Sequence, residues 1–124
     1  MSKKILVVDD DRFYSLYLNT LLRKNFPEYT LLMAGDGEEA WEILRSNTWS
    51  STEDMVIIDL EMPKMNGYGL MKRITKELPV IPKLVVNSNY KFRERDLEDA
   101  VLKYSVAHKP LNSSKVRDVL QIPR

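Results

Sequence analysis

Apolar residues gather in five short runs along the chain: Ile5 to Val8, Thr30 to Met33, Met55 to Ile58, Leu84 to Val86 and Ser105 to Ala107. Runs this short, without polar alternation, predict strands buried on both faces. Between them the apolar spacing changes to three and four residues. Phe13, Leu16, Tyr17, Leu21 and Leu22 mark one helical face. Ala40, Trp41 and Leu44 mark a second, Leu70, Met71, Ile74 and Leu78 a third, and Leu97, Ala100 and Val101 a fourth. A fifth helix is predicted after Asn112-Ser113-Ser114, which offers N-cap residues ahead of Val116, Val119 and Leu120, with Pro123 closing it. Strand and helix alternate five times, which predicts an α/β fold: a doubly wound, five-stranded parallel sheet with helices on both faces.

Breakers fall between the predicted elements. Gly35-Asp36-Gly37 precedes the second helix, Pro63 and Gly67 shape the connection after the third strand, and Pro79 and Pro82 mark the entry to the fourth. Ser46 to Thr52 reads as a polar loop, and no repeat, low-complexity tract or linker interrupts the pattern. The expectation is one domain over residues 1–124, with no output domain after the last helix.

Composition narrows the functions open to such a domain. Of 124 residues, 44% are hydrophobic, enough for one sizeable core. Nineteen lysines and arginines against eighteen aspartates and glutamates leave a net charge of +1, so no broad field favours nucleic acid or a membrane surface. The absence of cysteine removes disulfides, thiolate metal sites and thiol nucleophiles. The first apolar run is too short for a signal peptide or membrane span, and aspartates interrupt it at once, so a cytoplasmic setting is expected.

Candidate chemistry sits after the strands, because ligands of an open doubly wound sheet bind beyond the carboxyl ends of its strands. Asp9, Asp10 and Asp11 follow the first run, Asp59 and Glu61 the third, Asn87 and Ser88 the fourth, and His108 and Lys109 the fifth. Carboxylates at the ends of two neighbouring strands repel unless a cation lies between them, and hard oxygen ligands suit magnesium or manganese. A nearby lysine can pair with an anion at the same metal, which describes a site for phosphoryl groups. Asp59, after the apolar strand Met55 to Ile58, is placed to act as a carboxylate nucleophile that becomes an acyl phosphate.

Each residue also has a plainer reading. Asp10 or Asp11 can cap the helix that follows, Lys109 can be a surface charge or ion-pair partner, His108 an ordinary strand-end residue, and Asn87 a bond within its own turn. Trp41, Trp49 and the methionines read as packing residues. The metal reading rests on the conjunction of Asp9, Asp10, Asp59, Asn87 and Lys109 on one edge.

Taken together, Lys4-Ile5-Leu6-Val7-Val8-Asp9-Asp10-Asp11, Ile58-Asp59-Leu60-Glu61-Met62-Pro63-Lys64-Met65-Asn66-Gly67 and His108-Lys109-Pro110 resemble the receiver domains of two-component response regulators. The resemblance covers essentially the whole chain, and the order and spacing of its three motifs are jointly specific. It implies a flavodoxin-like (βα)5 fold with strand order 2-1-3-4-5. It implies Asp59 as phosphoacceptor, with magnesium held by the Asp10 and Asp59 carboxylates and the Glu61 backbone carbonyl and supported by Asp9 through water. It further implies that Lys109 contacts the phosphoryl group, that the Lys109-Pro110 peptide is cis, and that the donor is a phosphohistidine on a sensor histidine kinase or phosphotransfer protein. Output would pass to a separate downstream protein, with the chain a monomer or weak dimer, binding neither nucleic acid nor membrane, and catalysing at most its own phosphorylation and dephosphorylation.

Two positions depart from the family pattern. Asn87 stands where receivers have threonine or serine, and Val106 where they usually have an aromatic that turns inward on activation. An asparagine amide can donate to a phosphoryl oxygen but also carries an acceptor, while valine has one stiff torsion and nothing to relocate. The expectation is a site with ordinary chemistry and an altered switch, acting through the loops after the third and fourth strands. The resemblance further implies that Glu61 and Asn89 flank the path of attacking water and tune phosphoryl lifetime. Asn89 to Arg95, with Tyr90 and Phe92 among charges, is either a partner surface or a cover for the core edge.

Two rival functions follow from the same residues. One is a pseudo-receiver that binds partners without phosphorylation, favoured by Asn87 and Val106. The other is a magnesium-dependent phosphohydrolase of the haloacid dehalogenase-like type, whose Asp-x-Asp-x-Thr/Val motif Asp9-Asp10-Asp11-Arg12-Phe13 does not complete. No strand is followed by a glycine-rich nucleotide loop or a P-loop.

Overall fold

The computed structural model describes residues 3–60, 62, 66–88 and 104–121. Five strands, β1 (Lys3–Val8), β2 (Tyr29–Ala34), β3 (Met55–Ile58), β4 (Lys83–Ser88) and β5 (Ser105–His108), form one sheet in the order β2-β1-β3-β4-β5. All pairings are parallel, with Val7 level with Met33 on one side and Ile57 on the other. The helices among the described residues are α1 (Arg12–Asn25), α2 (Gly37–Arg45), α3 (Gly67–Glu77) and α4 (Ser113–Gln121). The predicted helix carrying Leu97, Ala100 and Val101 lies outside the described residues.

The apolar runs serve two cores at once. Leu6, Val8, Val56, Ile58, Leu84 and Val86 point to the side covered by Ala40, Trp41 and Leu44 of α2 and Leu70, Met71 and Ile74 of α3. Their neighbours Ile5, Val7, Met55, Ile57, Val85 and Ala107 point to the opposite side, against Leu18 and Leu22 of α1 and Val116 and Val119 of α4. A strand covered on both faces has no use for polar alternation, so the sequence reads as an unbroken run.

The first helix corrects part of the predicted face: Leu21 and Leu22 pack on the sheet as expected, but Phe13, Leu16 and Tyr17 do not. Phe13 is 87% exposed, and Leu16 and Tyr17 are exposed as well. The side of α1 turned to the sheet carries Tyr14, Leu18, Leu21, Leu22 and Asn25, of which Leu18 and Leu22 are fully buried. Two apolar stripes share this helix, and periodicity alone does not tell which one the sheet covers. Asp11 sets the start of the helix by accepting from the backbone N–H groups of Phe13 and Tyr14. Asn112 does the same for α4, accepting from Lys115 N–H at 2.8 Å.

The chain leaves β1 toward β2 and returns to β3 on the other side, so a crevice opens at the carboxyl ends of β1 and β3. Gly67, at the start of α3, lies tight against this point. A Cβ there would stand 2.3 Å from the Asp59 backbone oxygen and 2.7 Å from Leu60 Cα, so only glycine permits this approach.

Candidate functional site

Asp9 and Asp59 continue the sheet ladder past the strand ends, Asp59 N–H donating to Val8 O at 2.9 Å and Asp9 N–H to Ala34 O at 3.0 Å. Their side chains are fixed by the sheet rather than by a loop. Both are buried, Asp59 being 6% exposed, while Asp10 is exposed. Carboxylate oxygens of Asp9, Asp10 and Asp59 lie within 4.8 Å of one another. Three hard anionic donors this close fit a divalent cation such as magnesium, with room for further oxygen ligands. Because Asp11 is the residue that caps α1, Asp10 is left to this cluster.

Lys109 answers the carboxylates from β5. Its Nζ lies 2.7 Å from Asp9 Oδ2 and 3.6 Å from Asp59 Oδ2. Burial works against the ammonium charge, but the bond to Asp9 and the charges of Asp9 and Asp59 outweigh it and raise the pKa. Lys109 is therefore a fixed cation at neutral pH. The Lys109-Pro110 peptide bond is cis. Asp9 has both oxygens engaged, Oδ1 accepting from Asp11 N–H at 2.8 Å, so its main local work is to hold Lys109 and the start of α1.

Asn87 is fully buried, and Val106, its diagonal neighbour on β5, packs half-buried on the α2 and α3 side of the sheet. The Asn87 amide Nδ2 donates to Ala107 O at 2.9 Å, and its Oδ1 accepts from the Tyr14 hydroxyl at 2.5 Å. The same hydroxyl accepts from Leu111 N–H at 2.9 Å, and the ring of Tyr14 lies 4.5 Å from Lys109 Nζ. Burial, with the charge of Asp9 adding to it and the Leu111 bond opposing, pushes the Tyr14 hydroxyl up to about 12, so it stays a protonated donor. Tyr14 was absent from the predicted site. The one signal available was an aromatic with a polar tip one turn into the helix after the acidic cluster. Glu61, Asn89, Tyr90 and Phe92 lie outside the described residues, and His108 is exposed at the strand end.

The profile of the response regulator receiver domain matches residues 5–121. The chain belongs to the receiver domain family. Among curated relatives, this receiver is 40% identical over 83 residues to the response regulator GtcR of Aneurinibacillus migulanus, covering 65% of the chain and 32% of that protein. It is 36% identical over 84 residues to a protein-glutamate methylesterase/protein-glutamine glutaminase of Nitratidesulfovibrio vulgaris, covering 68% of the chain and 22% of that protein. The receiver thus spans a third or less of the length of these relatives. Its fold matches the signal receiver domain of an HD domain-containing protein from Pseudomonas fluorescens with a TM-score of 0.82, at 24% identity over 98% of this chain and 93% of the other. No helix among the described residues is long and apolar enough to cross a membrane.

Proposed function

We propose that this receiver takes a phosphoryl group onto Asp59 from a phosphohistidine of a sensor histidine kinase or phosphotransfer protein and signals through altered contacts with a downstream protein. The observation that carries the reading is a buried carboxylate at the end of β3, with two further carboxylates within 4.8 Å and an ammonium at 3.6 Å. A carboxylate oxygen of Asp59 bonds to phosphorus as the donor's phosphorus–nitrogen bond breaks, and the electron pair leaves on the imidazole nitrogen, which takes up a proton. Hydrolysis reverses the gain: water attacks phosphorus, inorganic phosphate departs and the Asp59 carboxylate is restored.

The Asp10 and Asp59 carboxylates and the Glu61 backbone carbonyl would hold magnesium, with Asp9 supporting it through water; manganese suits the same donors. When bound, the metal offsets the negative charge shared by the carboxylates and the phosphoryl oxygens. Lys109 supplies a second positive group, held beside Asp59 by Asp9. Glu61 and Asn89 tune how long the acyl phosphate lasts. The domain is a signalling unit over residues 1–124 and turns over no other substrate, and a cytoplasmic setting accompanies this reading.

Intact-protein mass spectrometry after incubation with acetyl phosphate and magnesium tests it. A labile phosphoryl adduct is expected that disappears in Asp59→Ala and with a chelator. An adduct that persists in Asp59→Ala would overturn the assignment. No adduct from either acetyl phosphate or a phosphohistidine donor would favour the phosphorylation-independent pseudo-receiver, for which the Asn87 amide's bonds to Ala107 and Tyr14 speak. Turnover of a generic phosphatase substrate would revive the phosphohydrolase.

A further inference from the structure

Tyr14 is the point where four parts of the molecule meet. Its backbone belongs to α1, its ring lies against the Lys109 ammonium, its hydroxyl donates to Asn87 on β4, and the same oxygen accepts from Leu111 N–H ahead of α4. One turn further along α1, Tyr17 stacks on Tyr14 at 5.7 Å and donates its own hydroxyl to Leu111 O at 2.7 Å. Both polar groups of the Leu111 backbone are thereby tied to α1, and the segment from Lys109 to Leu111 is fixed at its far end by two phenols. The orientation of the Asn87 amide follows from its neighbours: Ala107 O requires a donor, which leaves Oδ1 to face the phenol.

We propose that Tyr14 is a positioning residue of the phosphoryl site, its ring and hydroxyl holding Lys109 toward Asp59 and keeping Asn87 in place, so that a phenol–amide brace stands where Asn87 and Val106 leave the family's hydroxyl-and-aromatic pair incomplete. The inference rests on the phosphoacceptor reading of Asp59. Without the ring, the Lys109 stem gains space to turn away from the carboxylates. Without the hydroxyl, Asn87 Oδ1 and Leu111 N–H lose their partner inside a packed region, and the cheapest repair is for Asn87 and the Lys109 segment to move. Asn87 keeps its bond to Ala107 as long as the phenol occupies its other end.

The test measures the rate of adduct formation with acetyl phosphate and magnesium in the full chain. Tyr14→Leu is expected to slow it about tenfold, the scale of losing a partly desolvated cation–π contact and a hydrogen bond together. Tyr14→Phe keeps the ring and is expected to slow it only about two- to threefold. In a Lys109→Ala background Tyr14→Leu is expected to add only the two- to threefold loss seen with Tyr14→Phe, because the ring acts through the ammonium and the hydroxyl through Asn87. Unchanged rates, or the same fold-loss with and without Lys109, would overturn the proposal and leave Tyr14 a packing residue. If Tyr14→Leu fails to fold, the cycle of Tyr14→Phe with Asn87→Ala decides: the double variant is expected to match Asn87→Ala alone, and independent losses would contradict the brace. A native chain that forms no adduct would instead remove the phosphoacceptor reading, and this inference with it, before any substitution is made.

Discussion

Two buried aspartates bracket β3, Asp54 before Met55 and Asp59 after Ile58, and the sheet treats them in opposite ways. Asp54, 2% exposed, accepts from Lys4 N–H and Ser50 N–H at 2.8 Å each, and the Lys4 ammonium lies 3.4 Å away. Its carboxylate ties β1 to the loop that enters β3. Asp59 sits at the other end of the same four residues, crowded by Asp9 and Asp10 and reached by Lys109 at 3.6 Å. Backbone donors and a lysine meet the first carboxylate, whereas the second shares its site with two further carboxylates as well as a lysine. Burial and a nearby lysine are common to both, so neither sets the two apart; the clustering of like charge around Asp59 does.

The largest expected effect separates the two directly. Asp59→Asn is expected to abolish the phosphoryl adduct while leaving the chain folded. In chelator it is expected to raise stability by on the order of 1 kcal/mol, because one of three like charges is gone. Chemical denaturation with and without magnesium reads this, and a native chain more stable than Asp59→Asn in chelator would break the comparison. Asp54→Ala is expected to do the reverse: to cost about 3 kcal/mol by stranding two backbone donors and an ammonium, with adduct formation retained in the folded protein. Loss of the adduct in a fully folded Asp54→Ala chain would show that the two ends are not separate.

Gly67→Ala sharpens the comparison, since its Cβ would press on the Asp59 backbone oxygen. A cost of about 2 kcal/mol is expected together with slower phosphorylation, measured by denaturation and by adduct formation; a neutral result would contradict the tight approach. The smallest effect concerns pH. The Tyr14 hydroxyl ionises at about 12 in the folded protein against an ordinary 10.0. Between these values the folded chain binds more protons than the unfolded one, so this contribution to stability is complete below pH 10 and falls as pH rises toward 12. Tyr14→Phe lacks it, and its stability is expected to decline less steeply over that window than that of the native chain, whereas Tyr29, raised by burial and by nearby carboxylates, contributes alike to both.

The sheet was legible because strands covered on both faces leave unbroken apolar runs, and Met55 to Ile58 was read to the residue. The first half of α1 shows the limit. Phe13, Leu16 and Tyr17 are as apolar in sequence as Tyr14, Leu18 and Leu22, and which stripe the sheet covers depends on where Asp11 starts the helix. At the site, Asp9, Asp10, Asp59 and Lys109 were visible because each lies within two residues of the carboxyl end of a strand. Tyr14 was not, since what defines it is a bond to Leu111, 97 residues later in the chain. Asp54 was missed because it precedes its strand, at the end of the sheet where ligands are not sought.

Borohydride trapping tests the central assignment most directly. An acyl phosphate formed with acetyl phosphate and magnesium is reduced by borohydride at the carboxyl carbon, converting the modified aspartate to homoserine, which peptide mass mapping locates. Conversion at Asp59, with Asp9, Asp10 and Asp54 unchanged, is the expected result. Homoserine at any of those three instead, or at none while an adduct is present, would contradict it.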